Sequence, residues 1–183
     1  MLSTLHTNSA PETVTRLLDM GMDPFNFADS LLAVLAQRLV RRICGHCVRS
    51  APASEEAIEE LLADYLHAFP PEEIPVRRQA TLAGWLQRFG RDGRLHLHSG
   101  AGCEHCAKTG FRGRVGVHEL MTVSKELRRL VQSGARAEEL LQAALKEGMR
   151  TLRQDGIEKV LAGQTTIEEV RATSNAPCLL YTS

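Results

Sequence analysis

Apolar positions recur at helical spacing over most of the chain, broken by short alternating runs and by two polar, glycine-bearing segments that each hold a cysteine pair. Met1-Leu2-Ser3-Thr4-Leu5-His6 reads as a strand running into a loop. No preceding element can pair with that strand, so the pattern predicts a large missing upstream part. Ser9 then caps a predicted helix with Pro11 and Glu12 near its start, Val14, Leu17 and Leu18 on one face, and an end at Met20-Gly21. Asp23-Pro24 opens a second helical pattern in which Phe27, Leu31, Leu32, Leu35 and Leu39 recur, which predicts a helix over Leu31 to Ile43.

Ser54 precedes a further helix, Glu55 to Ala68, with an acidic first turn and a stop at Pro70-Pro71. Arg94-Leu95-His96-Leu97-His98 alternates as a strand does, placing His96 and His98 on one face that is expected to meet solvent. A strand over Val115 to Leu120 is followed by helices near 124–133, 136–147, 150–162 and 166–173, the last with Thr166 and Glu169 in a capping box. Past Asn175-Ala176, the stretch Pro177-Cys178-Leu179-Leu180-Tyr181-Thr182-Ser183 breaks the helical pattern. It resembles translated adapter read-through, so 176–183 are expected to be a non-native tail and are set aside from the fold.

Composition narrows the class. The 183 residues can bury a real core, and 22 basic against 22 acidic residues give no net charge, which argues against a nucleic-acid footprint or a polybasic membrane anchor. No apolar run reaches the roughly 20 residues a membrane span needs. Aromatics are 4% of the chain and Leu is abundant, which favours helices over a β-sandwich.

The chemistry concentrates in Cys44/Cys47 and Cys103/Cys106. Two residues between cysteines let both sulfurs face one tetrahedral corner, and two such corners make a closed four-thiolate zinc shell with no open position for catalysis. The knuckles stand much further apart than the about 15 to 20 residues of common zinc modules, so an inserted subdomain is expected between them. A disulfide framework is the first alternative, disfavoured by the absence of a signal peptide. The second is redox catalysis, because Cys44-Gly45-His46-Cys47 has the letters of a disulfide-isomerase site. That chemistry wants its first Cys at a helix N-terminus, whereas Cys44 follows a predicted helix, where the dipole disfavours a thiolate. His46 and His105 could each replace a thiolate as ligand.

Outside the knuckles, His6 lies among hydroxyls and an amide just past a strand end, where open α/β sheets collect ligands; by composition alone, a lone His in a polar loop is more often a satisfied structural residue. Gln37-Arg38 with Arg41 and Arg42 reads as a stretch whose arginines place cations at the last turn of a helix. Arg112 and Arg114 are flanked by glycines, so the backbone can come close to a phosphate while the guanidinium groups reach it, although a turn beside a zinc knuckle would look the same.

Taken together, Ser3-Thr4-Leu5-His6-Thr7-Asn8-Ser9, Arg16-Leu17-Leu18-Asp19-Met20-Gly21, Leu35-Ala36-Gln37-Arg38-Leu39-Val40-Arg41, both knuckles and Gly110-Phe111-Arg112-Gly113-Arg114-Val115-Gly116-Val117-His118-Glu119-Leu120 resemble the C-terminal third of the secretion ATPase superfamily. The similar branch is the type II secretion and type IV pilus assembly ATPases. The resemblance implies an α/β fold: the end of a RecA-like P-loop core with the first helices of the next domain over 1–43, a four-cysteine zinc module with its insertion over 44–106, and a mainly helical C-terminal domain over 107–175. It implies a homo-hexameric motor that hydrolyses ATP with Mg2+ on the cytoplasmic face of the inner membrane, against platform and cytoplasmic-ring proteins. It further implies His6 near the γ-phosphate supported by Thr4 and Thr7, Arg114 reaching the phosphates with Arg112 beside it, Gln37 and Arg38 in packing or subunit contact, and zinc on Cys44, Cys47, Cys103 and Cys106.

The chain contains no Gly-x-x-x-x-Gly-Lys-Ser/Thr phosphate loop and no acidic strand end for magnesium, so alone it is expected to be inactive. The other functional class is a stand-alone zinc-stapled helical module that docks a protein partner. A zinc-ribbon nucleic-acid binder is disfavoured by the neutral charge and scarce aromatics.

Overall fold

Helices form where a short polar side chain can take the first free amides. Ser9, Asp23, Ser54, Ser124 and Thr166 each accept a backbone N–H of the turn they precede, opening α1 (Ala10–Asp19), α2 (Pro24–Ser30), α3 (Glu55–Leu66), α5 (Lys125–Gln132) and α8 (Ile167–Thr173). The remaining helices are α4 (Ile74–Phe89), α6 (Ala137–Lys146) and α7 (Leu152–Leu161). The strands are β1 (Ala33–Ile43), β2 (Val48–Pro52), β3 (His96–Gly100) and β4 (Phe111–Thr122). The computed structural model describes residues 2–174. Met1, at the head of the expected N-terminal strand, and the expected non-native tail with Cys178 lie outside the described residues.

The mixed α/β fold divides into two compact units interleaved in sequence. One takes the N-terminal residues through Gln37 together with His118–Leu152; the other takes Arg38–Val117 and the chain from Arg153 onward. In the first, α1, α2, α5 and α6 bury Val14, Phe27, Leu127, Val131 and Leu140. In the second, Leu61, Leu62, Trp85, Leu95, Ile157 and Leu161 form one apolar cluster. The elements between the knuckles thus share a core with α7. β2 and β3 pair antiparallel from Val48↔Gly100 to Pro52↔His96.

Leu31 to Ile43 is not a helix. α2 stops at Ser30, and from Ala33 the chain is strand β1, paired with β4. The leucines whose spacing suggests a helix are the outward ones: Leu32, Leu35 and Leu39 are 80%, 57% and 51% exposed, while Ala36 and Val40 alternate into the core. Arg41 and Arg42 are therefore strand residues, not cations in the last turn of a helix. Bonds from Val123 N–H to the Leu32 carbonyl and from Cys44 N–H to the Gly110 carbonyl, both 2.9 Å, bracket an antiparallel ribbon. Between them β4 is one residue longer than β1. The surplus falls where alternation breaks, at Arg112, Gly113 and Arg114, all exposed, with Gly113 at φ +80° as in a glycine bulge.

Two further expectations change. Residues 2–7 form no strand, since among the described residues no strand edge pairs with them; Arg16 donates instead to the His6 carbonyl at 2.9 Å. His96 and His98 do not face open solvent: both are half-buried, and each Nδ1 is buried with no hydrogen-bond partner among the described residues.

Candidate metal centre

Both knuckles sit where a strand ends. β1 delivers Cys44 to a turn that leads through Cys47 into β2, and β3 delivers the chain through Ala101 and Gly102 to Cys103, whose 3-10 turn ends at Cys106 before β4. The knuckles are bonded to one another's flanks: Cys44 N–H donates to the Gly110 carbonyl at 2.9 Å, and Ala101 N–H to the Cys47 carbonyl at 3.0 Å. That approach requires glycine. Gly110 has φ +80°, and a Cβ there would lie 2.6 Å from the Gly100 carbonyl oxygen.

The result is four sulfurs within 4.8 Å of one another. Cys44 to Cys103 is 3.9 Å, Cys47 to Cys106 3.8 Å and Cys103 to Cys106 3.7 Å. A zinc ion with Zn–S bonds of about 2.3 Å has a tetrahedral S···S edge of about 3.8 Å, so the cage fits that ion. The same spacings are far longer than the about 2.05 Å of a disulfide, and all four cysteines are free thiols. The shell has no position left for a substrate, which fits a structural staple and not a redox centre.

Backbone amides already lean on the sulfurs. Gly102 N–H donates to Cys47 Sγ at 3.3 Å, and the Cys103 and Gly110 N–H groups to Cys106 Sγ at 3.2 Å each. The Cys103 amide first, then that of Gly110, pulls the Cys106 thiol down to about 6 against its desolvation. Burial, its largest influence, pushes Cys47 up to about 11, with Gly102 opposing. A dication at the centre would draw all four to thiolate. His46 and His105 stack on each other, ring centroids 4.0 Å apart, outside the sulfur cage.

The other sequence candidates fall in separate units. Thr4, His6 and Thr7 belong to the first, in the segment before α1, with His6 exposed and Thr7 Oγ1 2.5 Å from Thr13 Oγ1. Arg112 and Arg114 belong to the second, exposed on the bulged start of β4. Arg41 binds Glu169 through its main-chain N–H, Nε and Nη2 at 3.0, 2.9 and 2.6 Å and lies over the Phe111 ring. This hydrogen bonding, first of all, holds the Glu169 carboxyl below its usual range. Sequence reading missed Gly102 and Gly110 as sulfur-facing amides, although glycine beside a knuckle is the available signal. It also missed Glu119, whose carboxylate carries no local mark of what it holds.

Among the described residues no helix is long and apolar enough to cross a membrane. Residues 1–172 match the family described as Type II/IV secretion system protein. The type IV pilus assembly ATPase PilB of Myxococcus xanthus is 41% identical over 170 residues, which make up 93% of this chain and 26% of that protein. PilB of Thermus thermophilus is 39% identical over 172 residues, 94% of this chain and 17% of that protein. Type II secretion system protein E of Aeromonas hydrophila is 38% identical over 170 residues, 93% of this chain and 28% of that protein. The chain thus spans less than a third of the length of each of these relatives, while nearly all of its own length is matched. It belongs to the type II/IV secretion system protein family.

Proposed function

We propose that the chain is the C-terminal part of a hexameric, RecA-like motor that hydrolyses ATP to drive type II secretion or type IV pilus assembly. The motor works on the cytoplasmic face of the bacterial inner membrane, against a membrane platform and cytoplasmic-ring proteins. The observation that carries this reading is similarity over nearly the whole chain to proteins named for pilus assembly ATPase activity and for type II secretion. The domain layout follows: the end of the motor core with the first helices of the next domain over 1–43, the zinc module with its insertion over 44–106, and the helical domain over 107–175.

In this reading Cys44, Cys47, Cys103 and Cys106 hold a structural zinc, which supplies four bonds that pin the two knuckles. His6, with Thr4 and Thr7 beside it, senses a γ-phosphate or positions the attacking water. Arg114, with Arg112 beside it, presents a guanidinium to nucleotide phosphates as charge develops on the transferring group. Exposure of His6, Arg112 and Arg114 leaves these side chains accessible to such a ligand. The chain alone, which contains no phosphate loop, neither binds ATP productively nor hydrolyses it.

The test is a graft. Residues 3–173 replace the matching segment of the Myxococcus xanthus relative, and ATP hydrolysis and zinc content are measured. The chimera is expected to hydrolyse ATP with one zinc per subunit, and His6→Ala or Arg114→Ala to lower kcat roughly 100-fold or more. Full activity in both variants would refute the assigned roles.

A further inference from the structure

Glu119 is the most deeply buried carboxylate in the first unit, at 3% exposure, on the inward face of β4 between Val117 and Met121. A charge in that position is tolerated only with strong partners. Two main-chain donors supply part of this: Oε1 accepts the Ala10 N–H at 2.7 Å, and Oε2 the Leu152 N–H at 3.0 Å. Ala10 is the first residue of α1 and Leu152 the first of α7, so each oxygen takes an amide that its helix cannot satisfy internally, where a helix favours an anion. The segment immediately before Ala10 carries Thr4, His6 and Thr7. It is bound to α1 from the other side: Arg16 donates to the His6 carbonyl at 2.9 Å, Thr13 Oγ1 to the Ser9 carbonyl at 3.0 Å, and the Thr7 and Thr13 hydroxyls meet. The His6 segment therefore hangs on α1, and the head of that helix hangs on Glu119.

We propose that Glu119 and Arg16 are positioning residues for His6: the buried carboxylate fixes the head of α1 to β4, and the guanidinium fixes the His6 backbone to α1. Neither touches a nucleotide; both act through the geometry of the segment. The inference rests on the role proposed for His6. Glutamine at 119 keeps the shape but turns an amide NH2 toward one of the two N–H groups, so one clamp opens. Arg16 is exposed, and its loss releases the His6 carbonyl without opening a cavity.

Amide exchange in the 183-residue chain is the first readout. Glu119→Gln is expected to speed exchange at Ala10 about 10-fold or more while α6 amides stay unchanged. Equal acceleration in α1 and α6, or none at Ala10, overturns the clamp. Should Glu119→Gln fail to fold, Arg16→Ala carries the test, with Arg16→Lys as the conservative rescue. In the Myxococcus xanthus graft, Glu119→Gln and Arg16→Ala are each expected to lower kcat about 10-fold with KM for ATP within about threefold, because a misplaced group costs the transition state more than binding. Loss of activity in His6→Ala with none in these two variants overturns the positioning proposal alone. Full activity in His6→Ala removes the reading beneath it, and the proposal with it.

Discussion

Gly110 and Gly113 share a backbone angle of φ +80° and differ in what surrounds them, which separates conformational strain from contact. A Cβ at Gly113 meets nothing within 4 Å, so Gly113→Ala should cost about 1 kcal/mol, the ordinary penalty of the left-handed region. A Cβ at Gly110 would press on the Gly100 carbonyl at the point where the knuckles meet. Gly110→Ala is therefore expected to cost clearly more in urea unfolding and to lower the zinc bound per chain; equal costs for the two would show that the close approach is unimportant. His98 offers a second test at this scale. Burial first, then the nearby charges of Arg91 and His96, lowers its pKa, so the folded state binds its proton less readily than the unfolded chain does. That contribution leaves stability intact above the unfolded value of about 6.5 and erodes it as pH falls below, until the folded pKa is reached. Thermal melts from pH 7.5 to 5 should fall more steeply for the parent than for His98→Gln; parallel curves would refute the effect.

At the scale of elements, what was legible in the sequence depended on whether a local signal and the tertiary environment agreed. The caps at Ser9, Ser54 and Thr166 announced α1, α3 and α8 correctly because a side-chain oxygen taking a free amide is a local event. β1 was misread because Leu31, Leu32, Leu35 and Leu39 repeat at helical spacing, yet pairing with β4 turned most of them outward and buried the smaller Ala36 and Val40. Strand pairing is not local, so no window of sequence contained it. α4 escaped notice behind Pro70-Pro71-x-x-x-Pro75, although proline within the first turn is compatible with a helix. The cage was legible in its ligands and not in its supports, since Gly102 and Gly110 act through main-chain N–H groups. Trp85 shows what α4 contributes. It is almost fully buried, edge-on to Tyr65 with centroids 5.3 Å apart and packed with Leu61, Leu62 and Leu95. Trp85→Ala should destabilise the second unit by about 3–5 kcal/mol in chemical unfolding. A loss below about 1 kcal/mol would mean that the inter-knuckle elements do not depend on the shared core.

At the scale of the whole chain, all four cysteines of the cage fall within the second unit, so zinc should govern one unit and not the other. Zinc bound by four thiolates stabilises the folded form by whatever it does not give to the unfolded chain, on the order of 10 kcal/mol for small structural sites. With zinc in the cage, its removal would deprive the β2–β3 pair of an anchor at its open end, where Ala101 N–H meets the Cys47 carbonyl. It would also leave the Cys44–Gly110 contact to hold by one hydrogen bond. The first unit keeps its own supports without metal: the Val14, Phe27, Leu127, Val131 and Leu140 core and the Glu119 clamp on Ala10. Chelation of the metal under reducing conditions is therefore expected to accelerate amide exchange first at Cys44, Ala101 and Lys108, then along β2 and β3, while α1, α5 and α6 stay protected. Cys44→Ser should reproduce that pattern without chelator, because a hydroxyl does not replace a thiolate in the shell. Unchanged exchange in both cases would remove the staple, and uniform loss of protection across α1, α5 and α6 would show that the two units unfold as one.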